Sequence, residues 1–138
     1  MCVCVWQQPV KQKQKGSSAE RELISLFWEH GWAAIRAAGS GSQRHPSPDV
    51  LAANSIRTIA IEAKAEGTLT KYLSDADIQQ LREFARLFGA EPWLAVRYDK
   101  MGWYFFNPED LKKTPKGYAA DILLAKAKGL SFSELIGD

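Results

Sequence analysis

The sequence lacks the features that mark membrane proteins, disulfide-bonded proteins and dinucleotide-binding enzymes. None of its apolar stretches approaches the about 18 residues that a membrane-spanning helix needs, so we expect a soluble protein with no membrane partner. Its only 2 cysteines, Cys2 and Cys4, stand so close together that a disulfide between them would be strained. The fold therefore does not depend on bridges, which fits a reducing cytoplasm. No glycine fingerprint follows the first predicted strand, which argues against a dinucleotide site.

The charge of the chain is nearly balanced, and its distribution tells more than its sum. The formal net charge of +2 is by itself a weak indication of nucleic-acid binding. The first 64 residues contain eight Lys and Arg against five acids, whereas residues 65–99 contain four against six. The candidate chemistry lies in the basic part, although a mixed solvated surface would explain the same charges equally well.

The length of 138 residues and the 46% hydrophobic content predict one domain with a real core. We divide the chain into a flexible basic arm at 1–16, a main domain at 17–116 and a partly helical C-terminal tail at 117–138. The arm is rich in Lys and Gln and has no apolar periodicity.

The order of predicted elements indicates an α/β fold. Ser17 and Glu20 match a capping box, which predicts a first helix from about residue 18 to residue 30. Ser74 is a candidate N-cap for a second helix that ends at Gly89. Apolar and aromatic runs predict strands at 32–37, 49–53, 58–64, 93–98 and 103–106. We expect a central mixed β-sheet flanked by helices.

Two segments between these elements are predicted as loops. The ten residues from Gly39 to Pro48 are rich in glycine, serine and proline and have no apolar anchor, so they predict a mobile loop. Residues 67–73 are predicted as a second loop.

The residues with the clearest chemical potential are Asp49, Glu62 and Lys64. Glu62 and Lys64 are two positions apart on one predicted strand, so their side chains project to the same face. A turn at Asn54-Ser55 is expected to pair this strand with the one that begins at Asp49, because few residues separate them.

Phosphodiester cleavage uses this combination of groups. Two carboxylates supply oxygen ligands for one or two hard divalent cations, and an ammonium group stabilises charge that develops on the phosphate. A half-exposed strand with a surface ion pair is the alternative interpretation of an isolated Glu-x-Lys. The Pro48-Asp49 pair and the loop before it favour the site.

The motif Pro48-Asp49 followed by Glu62-x-Lys64 resembles that of restriction-endonuclease-like nucleases. The likeness to one family of them, the archaeal Holliday junction resolvases (Hjc/Hje type), runs in order from about residue 15 to residue 111. The segments that carry it are 15–22, 34–42, 48–49, 61–64, 72–73, 84–90 and 103–107.

The resemblance implies roles for individual residues. It implies metal ligands at Glu20, Asp49 and Glu62, and it adds Lys64 and Ser40 to the catalytic residues. Together with the basic arm, it implies DNA contacts by Lys15, Arg21, Arg36, Ser42 and Arg44. The implied cofactor is Mg²⁺, for which Mn²⁺ is expected to substitute. Glu20 has a second interpretation as the capping-box acid alone, and Arg21 and Arg36 as ordinary surface charges.

The expected function is structure-selective, metal-dependent cleavage of four-way (Holliday) DNA junctions in homologous recombination and repair. The resemblance implies a homodimer, whose interface we expect to include Phe84 and Phe88, and a location on the cytoplasmic nucleoid. A sliding clamp is a further candidate partner, although the apolar C-terminal residues form no clear clamp-binding motif. The alternatives are a restriction or repair nuclease that cuts duplex DNA, and a non-catalytic junction-binding module of the same fold.

Overall fold

The computed structural model describes residues 12–37 and 45–138, with side chains from Ser17 onward. This part of the chain forms helices α1 (Gln12–Glu29), α2 (Asp75–Phe88), α3 (Ile122–Lys128) and α4 (Phe132–Ile136). Its strands are β1 (Ala33–Arg36), β2 (Val50–Ala53), β3 (Thr58–Glu66), β4 (Thr70–Ser74), β5 (Glu91–Tyr98), β6 (Gly102–Phe106), β7 (Lys112–Thr114) and β8 (Gly117–Asp121). No helix among the described residues is long and apolar enough to cross a bilayer.

A five-stranded mixed sheet forms the centre of the molecule, in the order β1-β2-β3-β5-β6. Only β3 and β5 are parallel in this sheet, and the chain between them passes through β4 and α2 because parallel strands need a crossover. The predicted mixed sheet flanked by helices is thus confirmed.

The two faces of β3 belong to different layers of the fold. Ile61 is fully buried in a cluster with Phe27 of α1, whereas Ala60 is buried against Leu81 of α2. Because side chains alternate along a strand, Glu62 and the other even-numbered residues of β3 point to the α2 side. This alternation decides where the candidate catalytic groups lie.

The ends of the two long helices agree unequally with the sequence predictions. Ser74 caps α2 by accepting the Asp77 N–H at 3.0 Å, and Gly89 ends it with a φ of 79°, both as predicted. The predicted cap at Ser17 is wrong, because α1 already begins at Gln12. Its first turns are rich in Lys and Gln, which favour helix even without an apolar stripe.

Residues 70–73 of the region predicted as the loop 67–73 belong instead to β4, one strand of a second, three-stranded sheet. Here β4 pairs antiparallel with β8, which pairs with β7. The pairing is close at Gly117, where an added Cβ would lie 2.2 Å from the carbonyl oxygen of Leu73. The loop prediction was wrong for residues 70–73, because their partner strand lies far away in the sequence, whereas residues 67–69 are in no helix or strand.

The residues that we predicted as a C-terminal tail, 117–138, contain one strand and two helices that pack into the fold. In α4, Leu135 is buried in the α1-side cluster and Phe132 packs edge-on against Phe27, with ring centroids 5.0 Å apart. Arg57 holds this helix by donating to the Leu135 carbonyl at 2.7 Å. The apolar C-terminal residues considered for contact with a sliding clamp, Phe132, Leu135 and Ile136, pack in or against this core and would have to leave it to make that contact.

Candidate active site

Asp49 immediately precedes β2, and main-chain hydrogen bonds to two neighbouring segments fix its position. Its N–H donates to the Ile61 carbonyl, and its own carbonyl accepts the Ala37 N–H, each at 2.9 Å. Its carboxylate accepts the Ala63 N–H through Oδ2 at 2.9 Å. Only 8% of the residue is exposed, so this carboxylate is held in one place beside β3.

Glu62 and Lys64 meet on the α2 side of β3, as their spacing predicts. Lys64 Nζ lies 3.1 Å from Glu62 Oε2, and the side chains are 28% and 15% exposed. Asp49 is close enough to act electrostatically on both groups. The structure thus brings Asp49, Glu62 and Lys64 together.

The pKa values of this cluster show how strongly its charges interact. Burial first, and then the nearby Asp49 carboxylate, raise the pKa of Glu62 from 4.5 to about 7. Burial alone would lower the pKa of Lys64, but the surrounding carboxylates outweigh it and raise that pKa. Lys64 is therefore a permanent cation, whereas Glu62 is poised to gain or lose a proton near neutrality.

A further acid that the sequence analysis did not select lies near this cluster. Asp77, in the first turn of α2, acts electrostatically on both Glu62 and Lys64. The helix start at Ser74 was predictable, but the packing of that start against β3 was not. An acid in the first turn was therefore interpreted only as part of the helix.

Glu20 and Arg36 approach from the α1 side of the sheet. Arg36 Nε donates to Glu20 Oε1 at 2.6 Å, and its Nη2 donates to Ser17 Oγ at 2.8 Å. Burial is the largest cause that raises the pKa of Glu20, and Asp49 adds to it, while Arg36 and Lys64 oppose it. Glu20 is thus electrostatically part of the site, but its carboxylate is bound to an arginine.

The other predicted residues are placed to different degrees. Arg21 is exposed on α1 next to Glu20. Lys15 belongs to the first turns of α1, where the structure describes the backbone but not the side chains. Ser40, Ser42 and Arg44 fall outside the described residues, so their roles stay predictions.

The donor set fits a hard divalent cation. Asp49 and Glu62 offer carboxylate oxygens, and a cation would favour the ionised form of Glu62, whose burial disfavours charge. Among residues 12–37 and 45–138, no three His, Cys, Asp or Glu side chains are already arranged to hold a metal ion. The three-ligand set of Glu20, Asp49 and Glu62 therefore stays a prediction.

Comparisons with known proteins agree with this architecture. The family described as "Archaeal holliday junction resolvase (hjc)" matches residues 11–138. The chain is 38% identical over 133 residues to the crossover junction endodeoxyribonuclease Hjc of Archaeoglobus fulgidus, covering 91% of this chain and 98% of that protein.

Two more similarities support the same relationship. The Hjc of Methanocaldococcus jannaschii is 35% identical over 124 residues, which cover 90% of this chain and 88% of the relative. The 1.6 Å structure of the Archaeoglobus fulgidus Hjc, described as a Holliday junction resolvase, superposes with a TM-score of 0.82 at 38% identity, covering 87% of this chain and 98% of that one. The chain belongs to the archaeal Holliday junction resolvase (Hjc) family.

Proposed function

We propose that this protein is a crossover junction endodeoxyribonuclease that cuts four-way DNA junctions with Mg²⁺ at Asp49 and Glu62, and that Mn²⁺ substitutes for Mg²⁺. The observation that carries the proposal is the meeting of Asp49, Glu62 and Lys64 at one end of the central sheet. The names of the Hjc relatives support the substrate. The activity would place the protein with the DNA of the cytoplasmic nucleoid.

The described residues have different proposed roles in phosphodiester cleavage. Asp49 and Glu62 would hold a divalent cation, which would polarise the scissile phosphate and lower the pKa of a bound water. Asp49 keeps its carboxylate in place through the Ala63 N–H. Lys64, which stays protonated, stabilises the negative charge that develops on the phosphate oxygens.

DNA contacts are proposed for the basic residues around this end of the sheet. Arg36 borders the site, and the exposed Arg21 lies on the same helix as Glu20. A guanidinium binds two phosphate oxygens at once, which positions the backbone without selecting a base sequence. The basic residues Lys15 and Arg44 and the loop serines Ser40 and Ser42 are proposed to extend this surface.

A homodimer is proposed because a four-way junction has two equivalent strands to cut, and a two-fold dimer presents two matching sites. The apolar surface on the α2 side supports it. Phe84 and Phe88 stack with centroids 5.0 Å apart, Phe88 is 55% exposed, and it lines two apolar depressions of the surface. Ile35 on β1, 62% exposed, continues this surface.

The dimer can be tested by placing a charge on that surface. Phe88→Glu should give a monomer by light scattering, because a buried carboxylate without a partner is costly at an interface. Leu123→Glu is the matched control, since Leu123 is also exposed but lies on α3. A Phe88→Glu protein that stays dimeric would remove this surface from the proposal.

A nicking assay on a synthetic four-way junction with Mg²⁺ tests the activity. The wild-type protein should cut two opposed strands, whereas Asp49→Asn and Lys64→Met should lose about 100-fold or more of the cleavage rate and still bind the junction. Glu109→Gln, on the remote turn Pro108–Asp110, is the control that keeps the rate.

Two results would overturn the proposed function. A wild-type protein that binds the junction but never cuts it would be a non-catalytic module of this fold. Equal cleavage of linear duplex and junction would instead indicate a restriction or repair nuclease. The same assay tests the cofactor in two further conditions, one without a divalent cation and one with Mn²⁺ in place of Mg²⁺.

A further inference from the structure

Three side chains from two elements form a compact polar cluster beside the candidate active site. Arg36 binds Glu20 through Nε at 2.6 Å and Ser17 through Nη2 at 2.8 Å. The Glu20 side chain is only 15% exposed and that of Arg36 is 30% exposed. We call this cluster the Ser17–Arg36–Glu20 clamp.

The clamp is joined directly to the strand end that carries Asp49. Arg36 is the last residue of β1 and pairs with Val50, the first residue of β2. The next residue, Ala37, donates its N–H to the Asp49 carbonyl at 2.9 Å. A movement of Arg36 would therefore take place beside the proposed cation ligands.

Arg36 has two kinds of anion available in the proposed reaction. A guanidinium recognises carboxylates and phosphates with the same donor geometry, so the edge that binds Glu20 is also suited to a DNA phosphate. Glu20 likewise has two cations to choose from, since a carboxylate oxygen binds either an arginine or a hard divalent ion. Binding of a phosphate by that edge of Arg36 and binding of Glu20 by it exclude each other.

We propose that the clamp is a latch, in which Ser17 and Arg36 hold the Glu20 carboxylate away from the divalent cation until a DNA phosphate draws Arg36 away. The proposal rests on the proposed function, and it gives Ser17 the role of a positioning residue that orients Arg36. Its consequence is that junction DNA and the cation bind with positive coupling, each raising the affinity for the other.

The latch is tested first by cation binding without DNA. Isothermal titration with Ca²⁺, a hard cation that takes oxygen ligands, measures binding independently of cleavage. Arg36→Met should raise the Ca²⁺ affinity by about threefold to tenfold, the range expected when a partly exposed charged hydrogen bond no longer competes. Ser17→Ala should give a smaller rise in the same direction, although it leaves every charge in place.

A double-mutant cycle separates the latch from simple removal of a positive charge. In a Glu20→Gln background, Arg36→Met should no longer raise the Ca²⁺ affinity, because there is no carboxylate to release. An equal rise with and without Glu20 would overturn the latch, as would no rise in either background. If Arg36→Met fails to fold, Ser17→Ala, measured alone and with Glu20→Gln, decides the same question.

The coupling to DNA gives the second measurement. For the wild-type protein, a saturating four-way junction should raise the Ca²⁺ affinity, and Arg36→Met should lose most of this increase. An increase that is unchanged in Arg36→Met contradicts the latch. The Ca²⁺ affinity of Asp49→Asn tells the two proposals apart. If Asp49→Asn binds Ca²⁺ like the wild type, the proposed cation site is wrong. If Asp49→Asn loses Ca²⁺ binding while Arg36→Met leaves the Ca²⁺ affinity unchanged, the latch alone is refuted.

Discussion

The raised pKa of Glu62 predicts that the active site destabilises the fold at neutral pH. The folded protein holds the Glu62 proton more tightly than the unfolded chain, since the pKa is about 7 in the one and 4.5 in the other. The contribution of Glu62 to stability must then fall as the pH rises from about 4.5 through 7, because ionisation is favoured in the unfolded chain. Glu62→Gln removes this proton linkage while nearly preserving the shape of the side chain.

The size of the effect follows from the two pKa values. The cost of ionising Glu62 in the folded protein grows by about 2–3 kcal/mol between pH 5 and pH 8 if the pKa moves from 4.5 to about 7. The substitution also takes away the partner of Lys64, which lies 3.1 Å away. We therefore expect the difference in free energy of unfolding, Glu62→Gln minus wild type, to rise by about 1–2 kcal/mol between these two pH values.

Urea denaturation in EDTA at pH 5 and pH 8 measures this difference. Glu66→Gln is the matched control, because Glu66 lies on the same strand and its pKa is lowered. Burial alone would raise that pKa, but hydrogen bonds from Thr68 and the ion pair with Lys71 outweigh it. The stability that this lowered pKa contributes is present above about pH 4.5, so Glu66→Gln should be destabilised by a nearly constant amount from pH 5 to pH 8.

The reasoning is refuted if Glu62→Gln gains no stability relative to the wild type on going from pH 5 to pH 8. A parallel response of Glu62→Gln and Glu66→Gln would also refute it, since the two carboxyls have pKa shifts of opposite sign.

Three further predictions concern other parts of the molecule. Gly117→Ala should lower the free energy of unfolding by about 2 kcal/mol and the Tm by roughly 6 °C, because its Cβ would meet the Leu73 carbonyl; an unchanged melting curve would contradict this close approach. Arg57→Met should cost about 1–2 kcal/mol and speed hydrogen exchange in α4, whose Leu135 carbonyl it binds; equal exchange rates would show that the arginine does not hold the helix. Arg21→Gln should weaken junction binding for all sequences alike and reduce the slope of log affinity against log salt by about 0.9, and a slope that stays the same would exclude a phosphate contact.

The sequence predicts the local elements of this fold better than its long-range pairings. Helix α2 was predictable because its cap at Ser74, its stop at Gly89 and its buried stripe of Ile78, Leu81 and Ala85 are all local signals. Strand β4 was not, because its partner β8 begins only at Gly117 and the intervening chain contains a helix and two strands of the other sheet.

The candidate site shows the same division. Asp49, Glu62 and Lys64 could be selected because strand periodicity and a short turn already place them together. The clamp role of Ser17 and the nearness of Asp77 depend on how α1 and α2 pack against the sheet, which no local pattern encodes.

Strand β2 is shorter than its neighbour β3, and this difference in length makes room for chemistry. The ladder between them ends at the pair Val50–Ile61, while β3 continues to Glu66. In the described part of the chain, no strand pairs with this edge of β3 beyond Ile61. The Asp49 carboxylate therefore accepts the hydrogen bond from Ala63 that a longer β2 would accept. Two more residues of regular pairing would lay a backbone across that opening and take the Ala63 N–H from the Asp49 carboxylate. The position at which β2 begins is thus as much a determinant of this enzyme as the identity of its acids.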